Sequence, residues 1–119
     1  MDLNALQLSL RHFARERDWE QFHTPKNLAM AVTVEASELL EIFQWLDPKQ
    51  SQNLSDDQKA AVEQELADIQ IYLARLADVV GVDIESAVEE KLKINAEKYP
   101  ADRVRGSAKK YTEYDPDNG

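Results

Sequence analysis

Residues 24–48 read TPKNLAMAVTVEASELLEIFQWLDP, and this stretch decides the fold. Thr24 followed by Pro25 is an N-cap with proline at the first helical position, where the missing N–H would be unsatisfied anyway. Asp47-Pro48 closes the segment, because the residue before a proline is pushed out of the helical region. Between these signals Leu28, Val32, Leu39, Ile42, Phe43 and Leu46 all fall within about 60° of one centre line when the chain advances about 100° per residue. The spacing predicts a helix from Pro25 to Leu46, roughly 33 Å long at about 1.5 Å per residue.

The same punctuation recurs on either side. Asp2 can cap a first helix whose apolar residues are Leu3, Leu6, Leu10 and Phe13. Ser55 and Gln58 form a capping box for a third helix that ends near Val80-Gly81, with glycine suited to a left-handed C-cap. Asp83 caps a fourth, which runs to about Tyr99 before Pro100. The last twenty residues hold two prolines and two glycines with little periodicity and read as loop or tail. With no strand pattern, repeat or interdomain linker, the expectation is an all-α chain of four principal helices. The middle pair are as long as a globule of this size is wide, given a radius of gyration of about 13–14 Å. They carry more apolar surface than one short chain covers, so a homo-oligomer is expected.

Composition removes whole classes of chemistry. The 119 residues include no cysteine, which excludes disulfides, thiolate zinc sites and cysteine nucleophiles. The three glycines, at 81, 106 and 119, cannot write a phosphate-binding loop or a dinucleotide fingerprint. Two histidines, His12 and His23, are too few for a histidine-rich metal site, and His12 is expected at the surface. A net charge of -9 argues against nucleic acid as a partner. No stretch approaches about eighteen apolar residues, and the N-terminus has no signal-peptide core, so no membrane is implied and a cytoplasmic protein is expected.

Carboxylates stand where leucines belong. On the second helix Glu35 falls in the middle of the apolar stripe, and Glu38 lies on its shoulder near Ile42 and Trp45. On the third helix the stripe is Val62, Leu66, Ile69, Leu73, Leu76 and Val80, with Glu65 at its edge and Asp68 and Tyr72 on the same flank. Each helix thus presents two acids at i and i+3, about 5–6 Å apart. An ExxE pair on a solvated face is common; two such pairs, one acid inside an apolar stripe, with no base a turn away, are not. Segment 35–68 holds nine acids and two lysines. Converging carboxylates need a cation, and all-oxygen ligation suits Mg²⁺, with Mn²⁺ as a substitute. The di-iron alternative requires Glu-x-x-His, which is absent.

The fourth helix supplies the complement. Its apolar line of Ile84 and Val88 continues through Lys91, Asn95 and Lys98. From Lys91 to Tyr111 seven bases face two acids, a local net of +5 against -14 for the remainder. An acidic cluster with a separate basic stretch points to a substrate bearing several phosphates. Trp19 and His23, in the loop between the first two helices, and Trp45 are candidates for holding a flat base. Tryptophan in a small helical protein is otherwise a core or interface residue.

These residues form a recognisable set. Glu35-x-x-Glu38, 26 intervening residues and Glu65-x-x-Asp68 resemble the motif of the MazG-like all-α NTP pyrophosphohydrolase superfamily. The runs RDWEQFHTPKNLAMAVTVEASELLEIFQW, ELADIQIYL and KINAEKYPADRVRGSAKKYTEY are similar to its dCTP pyrophosphatase branch, and the resemblance covers residues 3–114. It implies a four-helix MazG-like bundle completed by oligomerisation, with the domain at 1–112 and a flexible tail at 113–119. It also implies hydrolysis of a deoxynucleoside triphosphate to the monophosphate and pyrophosphate. Metal ligation would fall to Glu35, Glu38, Glu65 and Asp68, with Glu35 or Glu38 as the base. Lys91, Asn95, Lys98 and Tyr72 would hold phosphates, Trp19, His23 and Trp45 the base and sugar, and the assembly would be a dimer of dimers. The rival readings are a nucleotide-binding protein without turnover and a helical protein-interaction module.

Overall fold

The computed structural model describes residues 1–108, and its regular structure there is entirely helical. The helices are α1 (Leu3–Glu16), α2 (Pro25–Phe43), α3 (Pro48–Ser51), α4 (Asp56–Val80), α5 (Ile84–Lys98) and α6 (Ala101–Val104), with one 3-10 turn at Glu20–Phe22. The four principal helices expected from the sequence are α1, α2, α4 and α5. The chain divides into two compact units, Met1–Val82 and Asp83 onward.

The caps act as read. The side chains of Asp2, Thr24, Ser55 and Asp83 accept from backbone N–H groups of the first turns of α1, α2, α4 and α5. Ser55 and Gln58 exchange both bonds of the capping box. Gly81 ends α4 at φ 74°, the left-handed conformation that a side chain disfavours.

Three boundaries differ from expectation. α2 stops at Phe43, not Leu46, so Trp45 lies beyond the helix. Asp47-Pro48 is a start as well as a stop: Asp47 and Gln50 form a second capping box for α3. The segment after Pro100, expected as loop, contains the single turn α6. The expected tail at 113–119, and Lys109, Lys110 and Tyr111, lie outside the described residues.

In the first unit α4 is central, packing against both α2 and α1. Among the described residues the buried apolar side chains are Ala14, Leu28, Ala74 and Ala77. Alanines at the α1–α4 contact let two backbones approach closely, since interaxial distance follows the side chains between them. Gln7 uses that proximity to donate from Nε2 to the Ala74 carbonyl at 3.0 Å. The expected stripe of α4 holds in part: Val62, Ile69, Leu73 and Leu76 are half-buried, Leu66 and Val80 are exposed on a single chain, and the most buried apolar positions are Ala74 and Ala77 beside the stripe. No helix is long and apolar enough to cross a membrane among the described residues.

Candidate functional site

Packing of α2 on α4 brings Glu35, Glu38 and Glu65 together. One carboxylate oxygen from each lies within 4.8 Å of the other two, and all three side chains are half-buried. Glu35 Oε2 and Glu65 Oε2 are shut off from solvent and have no hydrogen-bond partner. Two ionised carboxylates are acceptors only, so neither oxygen can satisfy the other. Glu35 is pushed up to about 7 from an ordinary 4.5: first because sharing a proton with Glu65 favours its neutral form, then by desolvation, then by Glu38 and the charge of Asp68. A proton or a cation between these oxygens removes the conflict. The donor set of hard carboxylate oxygens fits a divalent metal, and the cluster is a candidate divalent-metal centre.

Asp68 stands beside the triad, not in it. Its charge acts on Glu35, while its side chain lines a neighbouring cavity of about 280 Å³. That cavity is walled by Phe13, Trp19 and Tyr72, with His23, Asp68 and Arg75 as its polar groups. Its volume lies close to the ~300 Å³ lower end for small-molecule pockets, and an apolar wall with a few convergent polar groups is their usual make-up.

Local sequence shapes the aromatic wall. Asp18 turns the chain out of α1 at φ 53°, a left-handed conformation that aspartate tolerates better than most residues. The Trp19 N–H then donates to the Ala14 carbonyl at 2.8 Å, and the His23 N–H reaches the Trp19 carbonyl at 3.2 Å. Asn27, in the first turn of α2, donates from Nδ2 to the Phe22 carbonyl at 2.9 Å, tying the loop to the next helix. The result is edge-to-face packing of Trp19 on Phe13, with centroids 5.7 Å apart, and of Trp19 on His23 at 6.3 Å. The Arg17 guanidinium caps the Phe13 ring at 3.6 Å.

Of the residues singled out in the sequence, Glu35, Glu38 and Glu65 form the acid cluster, and Asp68, Tyr72, Trp19 and His23 meet at the cavity. Trp45 does not join them. It is 86% exposed and is not part of that cavity's wall, because α2 ends before it and the helical face no longer aims it. Lys91, Asn95 and Lys98 belong to the second unit, where their spacing aligns them along one face of α5. His12 is exposed as expected. Sequence reasoning missed Arg75, which is buried and donates from Nε to His23 Nδ1 at 3.1 Å. The signal was present: Asp68, Tyr72 and Arg75 follow one another at i, i+4 and i+7 on α4.

Comparison with known proteins converges on one family. The family model described as the MazG-like family matches residues 30–114, a span that holds all four acids and begins after Trp19 and His23. Human dCTP pyrophosphatase 1 is 48% identical over 103 residues, which make up 85% of this chain and 61% of the human protein. The rat protein of the same name is 46% identical over the same length. The chain therefore spans 61% of the length of these curated relatives. The crystal structure of a pyrophosphatase from Archaeoglobus fulgidus superposes with a TM-score of 0.79 at 40% identity, covering 84% of this chain and 94% of that one.

Proposed function

The chain belongs to the MazG-like family, and we propose that it hydrolyses a deoxynucleoside triphosphate, dCTP or a close relative, to the monophosphate and pyrophosphate. The observation that carries the reading is the pair of buried, partnerless oxygens of Glu35 and Glu65 beside an aromatic cavity. The name of the dCTP pyrophosphatases supports this choice of substrate, and the archaeal structure is likewise named a pyrophosphatase.

Glu35, Glu38 and Glu65, joined by Asp68, would hold Mg²⁺, with Mn²⁺ as a substitute. Bound there, the cation supplies charge neutralisation for the polyphosphate and lowers the barrier to attack by water. Glu35 or Glu38 accepts the proton of the attacking water as its oxygen bonds to the α-phosphorus and the bridge to the β-phosphate breaks. Pyrophosphate leaves. Trp19 and Tyr72 offer flat faces to the base and sugar, and His23 offers a polar edge. Lys91, Asn95 and Lys98 are assigned to the phosphates on the strength of the two lysine charges, the donor amide of Asn95 and their shared face of α5. Trp45, beyond α2 and largely exposed, is assigned to a surface covered in the oligomer, which we take to be a dimer of dimers. A net charge of -9 favours a small anion carried with its cation over nucleic acid, and a reading as a nucleotide hydrolase is consistent with a cytoplasmic protein.

Turnover in ¹⁸O-water tests the assignment. Label in the monophosphate and unlabelled pyrophosphate as the other product are expected with dCTP and Mg²⁺. Orthophosphate and a nucleoside diphosphate as first products would overturn it, and calorimetric binding without turnover would favour a nucleotide-binding protein instead.

A further inference from the structure

Arg75 is 8% exposed, and it stands with His23 between two spaces. Both residues line the aromatic cavity, and both line an open cleft on its other side that also holds Arg11, Arg15, Glu20 and Asp78. A chain of polar contacts crosses this wall. Arg11 Nε donates to Asp78 Oδ2 at 2.6 Å, the same oxygen lies 3.5 Å from Arg75 Nη1, and Arg75 Nε donates to His23 Nδ1 at 3.1 Å.

The last bond has a definite chemical meaning. A guanidinium has donors only and stays protonated, so the ring nitrogen facing it must be the unprotonated one. A neutral imidazole that accepts at Nδ1 carries its single proton on Nε2. We propose that Arg75 is a positioning residue: it holds His23 as the Nε2–H tautomer, so that the cavity offers its ligand a hydrogen-bond donor at this point and favours a base edge bearing a carbonyl oxygen or an unprotonated ring nitrogen. The tautomer follows from the hydrogen bond alone. Its consequence for base choice rests on the pyrophosphohydrolase reading above.

The surroundings agree with a neutral ring. Burial first, and then the Arg75 charge, push His23 below its ordinary 6.5. The charged groups around it come from three elements: Arg11 and Arg15 of α1, Glu20 of the loop, and Asp68, Arg75 and Asp78 of α4. The other tautomer would turn a bare nitrogen toward the ligand and read an amino group instead. A polar site that meets the wrong partner leaves one buried group unpaired, which discriminates far more strongly than a lost apolar contact. Asp78 keeps the device affordable, since its carboxylate, itself held below the usual range by Arg11, balances the buried Arg75 charge.

Long-range ¹H–¹⁵N spectra of the uniformly labelled protein at neutral pH test the tautomer directly, with His12→Gln to tell the two rings apart. Protonated Nε2 and unprotonated Nδ1 are expected for His23. In Arg75→Met the ring relaxes from a single tautomer toward the mixture of an unconstrained imidazole, and the ratio of kcat/KM for dCTP to that for other deoxynucleoside triphosphates changes by about tenfold or more, while Arg75→Lys restores part of both. A wild-type ring protonated on Nδ1, or an Arg75→Met protein that keeps both the tautomer and the preference, overturns the proposal. Should Arg75→Met fail to fold, the wild-type spectrum and Arg75→Lys decide it. Absence of pyrophosphate release from every triphosphate would count against the enzymatic reading, and the spectrum would still settle the tautomer.

Discussion

Glu35 concentrates the physics of the site in one side chain. Its folded value of about 7 stands above the ordinary 4.5, so the native protein holds this proton more tightly than the unfolded chain does. That contribution to metal-free stability is complete below about pH 4.5 and is lost as pH rises toward about 7. Calorimetry in chelator should show melting temperature falling across this window, and Glu35→Gln should remove much of the fall while reducing turnover by orders of magnitude. Mg²⁺ at one hundred times its dissociation constant should restore about 2.7 kcal/mol to the wild type if it binds the native state alone. Near-normal turnover in Glu35→Gln, or a wild-type melting temperature indifferent to Mg²⁺, would falsify the carboxylate metal centre. A second contrast separates the two halves of the substrate. Trp19→Ala or His23→Ala should alter the ratio of kcat/KM between dCTP and other deoxynucleoside triphosphates, whereas Lys91→Ala should lower all of them alike. A lysine variant that changed base preference, beside aromatic variants that did not, would invert the assignment.

At the scale of elements, α4 does most of the positioning, because it carries Glu65 and Asp68, the cavity residues Tyr72 and Arg75, and the alanines packed in the unit's interior. Its start and its contact face contribute differently. Ser55→Ala removes one cap and should cost about 1 kcal/mol in denaturant unfolding. Turnover should survive, since the acids begin more than two turns further along. Ala74→Leu forces a larger side chain into the α1–α4 contact and should cost about 1–3 kcal/mol. It should impair turnover as well, by shifting Tyr72 and Arg75 relative to the loop that carries His23. Equal loss of activity in the two variants at matched stability would show that the α1–α4 contact has no special role in shaping the cavity.

For the whole molecule the unfinished business is apolar surface. Leu40 and Val34 of α2 are 59% and 54% exposed on a single chain, and Leu66 of α4 is 53% exposed. Among the described residues an interior of three alanines and one leucine is small, and a second copy is the cover that the proposed assembly provides. Light scattering at micromolar concentration should return at least twice 13.6 kDa, and a mass of 13.6 kDa would contradict the oligomer. What the sequence alone determined were the helices and the acids on them. Thr24-Pro25, Ser55 with Gln58, Gly81 and Asp83 act through hydrogen bonds and backbone angles within one turn, so their effect is local and can be read in order along the chain. Glu35 was legible for a related reason, since a charge inside an apolar stripe conflicts with its own helix. Tertiary structure decided the rest. Which oxygens meet depends on the rotation and axial register of α2 against α4, and that register joined Glu35, Glu38 and Glu65 while turning Asp68 toward the cavity. Whether Leu66 or Ala74 is buried depends on how closely α1 approaches. Arg75 could be placed on a face of α4 by counting, but only Asp78 on one side and a histidine 52 residues earlier on the other make its burial tolerable. Partners that distant in sequence leave no periodic trace, because the free energy that unites them comes from packing between elements.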